Sequence, residues 1–158
     1  MAINFGDGSV QNFSGKIIQV KRALNGSGMT SSSSGMSDIT NINFTPKSSS
    51  SKIHMELSGA CYIQSEPGGI RVDFYDGTNN VRQGQSLGSD RPLALRFDFQ
   101  GGHSGNVYSY ACITWRSTGD SWGTSNRNIF AQYSSAGGTV GFLSDHAPVT
   151  MTITEVLE

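Results

Sequence analysis

Apolar and polar residues alternate one by one along much of the chain, which is the period of strands buried on one face. Ile53, Met55, Leu57, Cys61 and Ile63 fall on one side, and Lys52, His54, Glu56 and Ser58 on the other. That run predicts a long strand between core and surface. Ile70, Val72 and Phe74 alternate with Arg71, Asp73 and Tyr75, and the "YDGTNN" that follows supplies the Asp, Asn and Gly of a tight turn. Leu93, Leu95, Phe97 and Phe99 alternate with Ala94, Arg96, Asp98 and Gln100 before the glycines of "GGHSGN" break the strand. Further strands are expected at 16–24, 37–45, 106–116, 128–133 and 148–156. No segment sustains apolar residues at the helical spacing i, i+3, i+4, i+7. About eight short strands between Gly-, Ser- and Asn-rich turns, without βαβ alternation, predict an all-β, single-domain antiparallel β-sandwich of the jelly-roll type.

Three segments fall outside the alternation. Thr45-Pro46 makes an extended corner, because proline disfavours the helical region for the residue before it, and Ser48 to Ser51 then cross to the next strand. The four serines are expected to keep that crossing in water. The tract "NGSGMTSSSSGM", Asn25 to Met36, sits between two strands of one domain and reads as a loop that is partly strand-paired. Residues 1–14 carry the turn chemistry of "FGDG" without strand-length alternation, while Phe5 and Phe13 are too apolar for a free tail. They are expected to form an attachment arm that precedes a sandwich over 15–158.

Composition narrows the class. The chain has 158 residues, enough for one core, with 20 glycines and only 15% charged residues, so its solubility rests on hydroxyl and amide groups. The formal net charge is −1 and the Lys and Arg residues are scattered, which argues against a nucleic-acid partner. No window is long and apolar enough to cross a bilayer, so membrane insertion is not expected, and folding in a cytoplasm is. Cys61 and Cys112 fall on two different strands. They are either buried thiols or, if those strands bring them to bridging distance, a disulfide.

Candidate chemistry is sparse. His54, His103 and His146 do not cluster and show no metal-ligand spacing, so neither metal nor cofactor is expected. Asp73, Asp76, Asn79 and Asn80 lack the register of a calcium loop and read as a turn. No serine lies in a Gly-x-Ser-x-Gly elbow, and no enzyme activity is expected. Arg71, Asp73, Arg96 and Asp98 read as a polar ladder across neighbouring strands. The polar loop "RSTGDSWGTSNRN" places Trp122 among Asp120, Asn126 and Arg127. That combination either stacks a sugar ring and bonds its hydroxyls or packs the indole over a sheet end. Tyr62, Tyr75, Tyr108 and Tyr110 fall at outward strand positions, where aromatic residues suit a subunit interface.

Four segments, in order, carry a family likeness: "INFGDGSVQ" (Ile3 to Gln11), "SGKIIQV" (Ser14 to Val20), "FTPKSSSSKIHM" (Phe44 to Met55) and "VTMTITEV" (Val149 to Val156). On these the chain resembles small virion proteins and tail-fibre terminal domains of marine and cyanobacterial bacteriophages, with Lys47 and His54 standing where the pattern has Ser and an aliphatic residue. The resemblance implies a tumour-necrosis-factor-like jelly roll, assembled as a homotrimer on the virion exterior as a fibre tip or knob-like protein. Other virion proteins and a host-surface glycan are the implied partners, and a capsid decoration (cement) protein is the alternative. A free-standing carbohydrate-binding module is the alternative from another class.

Overall fold

The computed structural model describes residues 2–4, 10–12, 15–64, 68–76, 95–99, 107–116, 122–142 and 148–157. Its elements, in chain order, are β1 (Ala2–Asn4), β2 (Val10–Asn12), β3 (Lys16–Asn25), β4 (Met29–Ser31), β5 (Ser37–Phe44), β6 (Lys52–Ile63), β7 (Gly68–Tyr75), β8 (Leu95–Phe99), β9 (Val107–Arg116), β10 (Arg127–Gly137), β11 (Val140–Phe142) and β12 (Val149–Leu157). No helix occurs among the described residues. All ladders are antiparallel.

Two sheets make the sandwich. The larger runs β3–β12–β6, with β9 on the far side of β6 and β11–β4 continuing along it; the smaller runs β5–β10–β7–β8. The eight longer strands pair as nested hairpins: β3 with β12, β5 with β10, β6 with β9, and β7 with β8. First with last, second with next to last, and so inward to a central pair: this is the wrapping of a jelly roll, and the architecture is an all-β antiparallel sandwich. The alternating residues form these strands because each one has a single face to bury. Phe44, Phe74 and Ile129 from the smaller sheet and Ile53, Met55 and Ile153 from the larger one are all buried in the common core.

Four short strands were not legible in the alternation. β1 and β2 pair with each other around "FGDG", so the segment read as an arm contains a hairpin. Within the Asn25–Met36 tract, β4 pairs with β11, as a partly strand-paired loop should. β11 itself has only three residues and turns back from β10 through Gly138, whose φ of 67° suits a residue without Cβ. Gly141, at the centre of β11, is required for close approach: a Cβ there would collide with the Met29 carbonyl oxygen and lie 2.8 Å from the Tyr62 ring.

The adjacent edges of the two sheets are joined by side chains. Gln19, Lys21 and Asn25 of β3 donate to the carbonyl oxygens of Thr45, Asn43 and Ile39, along and just beyond β5. These bonds occupy acceptors on β5, which pairs with β10 in the ladder.

Candidate functional site

One end of the sandwich brings together Lys47, Ser48, Ser51, Asp76, Asn126 and Arg127, polar residues that the sequence singled out. The chain leaves β5 at Phe44, turns at Thr45-Pro46 and enters β6 at Lys52. Backbone N–H groups in that turn need acceptors, and the last strand provides one. Glu155 of β12 is fully buried, with its side chain among the inward residues Met151 and Ile153 of the same strand. Its carboxylate accepts the Lys47 N–H at 2.8 and 3.0 Å and the Ser48 N–H at 3.1 Å. The Ser51 hydroxyl, with one proton to give, lies 2.6 Å from Glu155 Oε1 and 2.8 Å from the Ser48 carbonyl oxygen. Charge-assisted bonds of this kind compensate the burial of a carboxylate. The expectation that the serines keep the crossing wet therefore fails at Ser51, which is 2% exposed. Only Ser49 and Ser50 face solvent. In the sequence, Glu155 carried a signal in its parity, since a charged residue stands there at an inward position of the strand.

Beside this corner stands the tryptophan. Asn126 Nδ2 donates to Thr45 Oγ1 at 2.8 Å, joining the two turns, and Arg127 begins β10 opposite Phe44. Trp122 is 6% exposed and belongs to the core cluster. The Arg127 guanidinium carbon lies 4.7 Å from the centre of its ring. Nη1 of the same group meets Asp76 Oδ2 at 3.1 Å, and Nη2 donates to the Trp122 carbonyl oxygen at 3.1 Å. A cation held over an indole by an acid and a carbonyl is a self-contained arrangement. It covers one ring face with a residue of the chain itself. Of the four residues expected at a sugar site, Trp122 and Arg127 are in contact, Asn126 is exposed beside them, and Asp120 lies outside the described residues. Asp76 was read only as a turn residue, yet it fixes the guanidinium.

The tyrosines divide between the two sheets. Tyr62 and Tyr108 stand opposite each other in the β6–β9 register, with Tyr110 opposite Ala60, so three of the four share one region of the larger sheet. Tyr75 lies on the smaller sheet, its ring 6.3 Å from that of Phe130. Phe5 and Phe13 lie outside the described residues. On the outward side of the larger sheet, β3 leaves Ile17, Val20 and Leu24 exposed at 61%, 56% and 57%.

Other candidate groups are accounted for as follows. Cys61 is a free, buried thiol, and burial raises its pKa to about 11. Its register partner is Ser109, while Cys112 stands opposite Ser58. Positions 58 and 61 point to opposite faces of β6, so the strands do not present the two cysteines to each other. His54 stands between Thr154 and Arg116 in the ladder; His103 and His146 lie outside the described residues. No group of three His, Cys, Asp or Glu able to hold a metal occurs among the described residues. In the register expected to form a polar ladder, Arg71 is opposite Arg96 and Asp98 is opposite Gly69, while Asp73 is buried.

No family model matches the chain, and no curated protein matches it.

Proposed function

We propose that the protein is a non-enzymatic bacteriophage structural protein, displayed on the virion exterior as a homotrimeric fibre tip or knob. The observation that carries self-assembly is the exposed stripe Ile17, Val20 and Leu24, three large aliphatic side chains on the outward side of one strand. Singly they would need no explanation, but together on one face of a strand they form the kind of apolar surface that partners cover. The Tyr62, Tyr108 and Tyr110 positions add aromatic residues to the same sheet. The virion setting and the trimer come from the likeness of the four sequence segments.

A second reading, capsid decoration, gains from the corner at Trp122. With Arg127 over one indole face, that ring offers less surface for stacking a sugar, and a protein that only covers a shell needs no such surface.

Light scattering on the purified protein is the direct test. A mass three times that of the chain is expected, reduced to the monomer mass by Val20→Glu together with Leu24→Glu. A wild-type monomer at micromolar concentration would overturn self-assembly, because obligate interfaces bury about 2,000 Å² or more in total and persist at that dilution. Fibre and decoration readings part on the position of the chain in a particle reconstruction.

A further inference from the structure

We infer that the outward face of the smaller sheet holds a binding site for a small oxyanion, centred on Arg71 and Ser134. This goes beyond the virion reading and does not depend on it.

Strand parity places both residues. On β7, Ile70, Val72 and Phe74 are buried in the core, so Arg71 points the other way; on β10, Ile129, Ala131 and Tyr133 do the same for Ser134. The two are direct register partners, and Arg71 is in turn the partner of Arg96 on β8. Ser134, Arg71 and Arg96 therefore occupy one cross-strand row.

Two polar atoms in that row are orphaned. Ser134 is 0% exposed although it faces away from the core, and its Oγ has no hydrogen-bond partner. Arg71 Nε is likewise buried without one. Among the described residues, no ion pair or hydrogen bond engages the Arg71 side chain. The nearest acid on its own strand, Asp73, is 3% exposed and accepts the Phe74 N–H at 2.8 Å through Oδ1. Gln132, opposite Asp73, gives its amide to Asp38 at 2.7 Å. The neighbouring row is thus engaged, whereas Arg71 Nε and Ser134 Oγ are not.

The chemistry of the missing partner follows. An arginine Nε–H can only donate, and a serine hydroxyl beside it can donate as well, so the group that serves both is an acceptor. It should be negatively charged, because no acid among the described residues pairs with the Arg71 guanidinium. A planar guanidinium fork fits the paired oxygens of carboxylate, sulfate or phosphate. Buried polar atoms without partners are rare in folded proteins, and an absent ion is one of their recognised causes. Such an anion has two natural sources, the acid group of a sugar and free inorganic phosphate or sulfate.

Calorimetric titration at constant ionic strength tests the site, with inorganic phosphate, sulfate, glucuronate and neutral glucose as separate ligands and chloride as the balancing salt. Saturable binding of at least one oxyanion is expected, with no binding of glucose. Tighter binding of glucuronate than of phosphate would assign the site to an acidic sugar, and the reverse order to the inorganic ion. Arg71→Gln should weaken binding by about tenfold or more, the loss expected for a charged hydrogen bond, and Ser134→Ala by a smaller factor. Should Arg71→Gln not fold, Arg71→Lys keeps the charge, removes the fork and should still weaken binding. No saturable binding of any oxyanion to the folded wild-type protein would overturn the proposal. Binding that both variants leave unchanged, or glucose binding as tight as glucuronate, would do the same.

Discussion

The end of the sandwich around Glu155 and the outward face around Ser134 both bury polar groups, and they treat them in opposite ways. At the end, a carboxylate meets two backbone N–H groups and a hydroxyl; on the face, a hydroxyl and a guanidinium nitrogen meet nothing. Both lie on β-strands of the same fold. The difference is in what each site is for: polar groups that hold a corner find their partners within the chain, while those at the face are left to a partner from outside. Burial alone does not separate the two cases, since Glu155 and Ser134 are equally hidden from water.

That contrast can be broken by truncation, and the largest effect is expected at Trp122. Replacing it with alanine removes a buried indole and the platform under Arg127, and should lower stability by about 3–5 kcal/mol in denaturant unfolding. A loss below about 1 kcal/mol would mean that the indole is not part of the core. Glu155→Ala comes next, at about 3 kcal/mol, because it strands two N–H donors and a hydroxyl. Glu155→Gln should cost less, since an amide oxygen can still accept. Ser51→Ala removes one bond to the same carboxylate and should cost about 1–2 kcal/mol.

A smaller effect is expected from alkali. Burial holds the Cys61 thiol neutral in the folded state with a pKa near 11, against 9.0 for an unperturbed thiol, and burial also raises the Tyr133 phenol, followed by the neighbouring Tyr62 charge. The folded chain therefore keeps protons that the unfolded chain has lost. The Cys61 contribution is complete below the unfolded pKa and falls as pH rises through the window from 9.0 to about 11, and the Tyr133 contribution falls above 10.0. Melting temperatures across that window should decline, and a thiol reagent at neutral pH should find Cys61 only on unfolding. A steady melting temperature through the whole range would contradict the burial of these groups. Smallest of all is Ser134→Ala, expected within about 0.5 kcal/mol of wild type in anion-free buffer, because it deletes a hydroxyl that makes no bond. The same chemical change at Ser51 and at Ser134 should thus give clearly different results.

These two regions also show what a one-dimensional pattern can carry. Alternation located the eight longer strands, because a residue with one buried face must repeat every second position, as on β6 and β12. It missed β11, where three residues are too few to alternate, and the β1–β2 hairpin. The candidate site was legible in its residue types but not in its pairings. Trp122 and Arg127 stood five residues apart in one loop, whereas Asp76, which completes their contact, comes 51 residues before Arg127. The serine crossing was misjudged for the same reason: its acceptor lies more than a hundred residues away along the chain. Ser134 gave no signal and Arg71 read only as part of a polar ladder, since an unsatisfied donor is defined by what surrounds it in space.

The Glu155 clamp also sets an order on synthesis. Ser51 leaves the ribosome 104 residues ahead of the carboxylate that receives its proton, and Lys47 108 residues ahead. During translation, the corner between β5 and β6 therefore waits with its amides facing water. The nested pairing enforces the same delay on β3, whose ladder partner among the described residues is β12. The pairs β7–β8, β6–β9 and β5–β10 have both members synthesised before β12, but β3 and the serine turn are completed only when β12 emerges. A nascent chain stalled before β12 would expose an unsatisfied corner and an unpaired ten-residue strand together, which makes the interval before β12 emerges a period of exposure to aggregation.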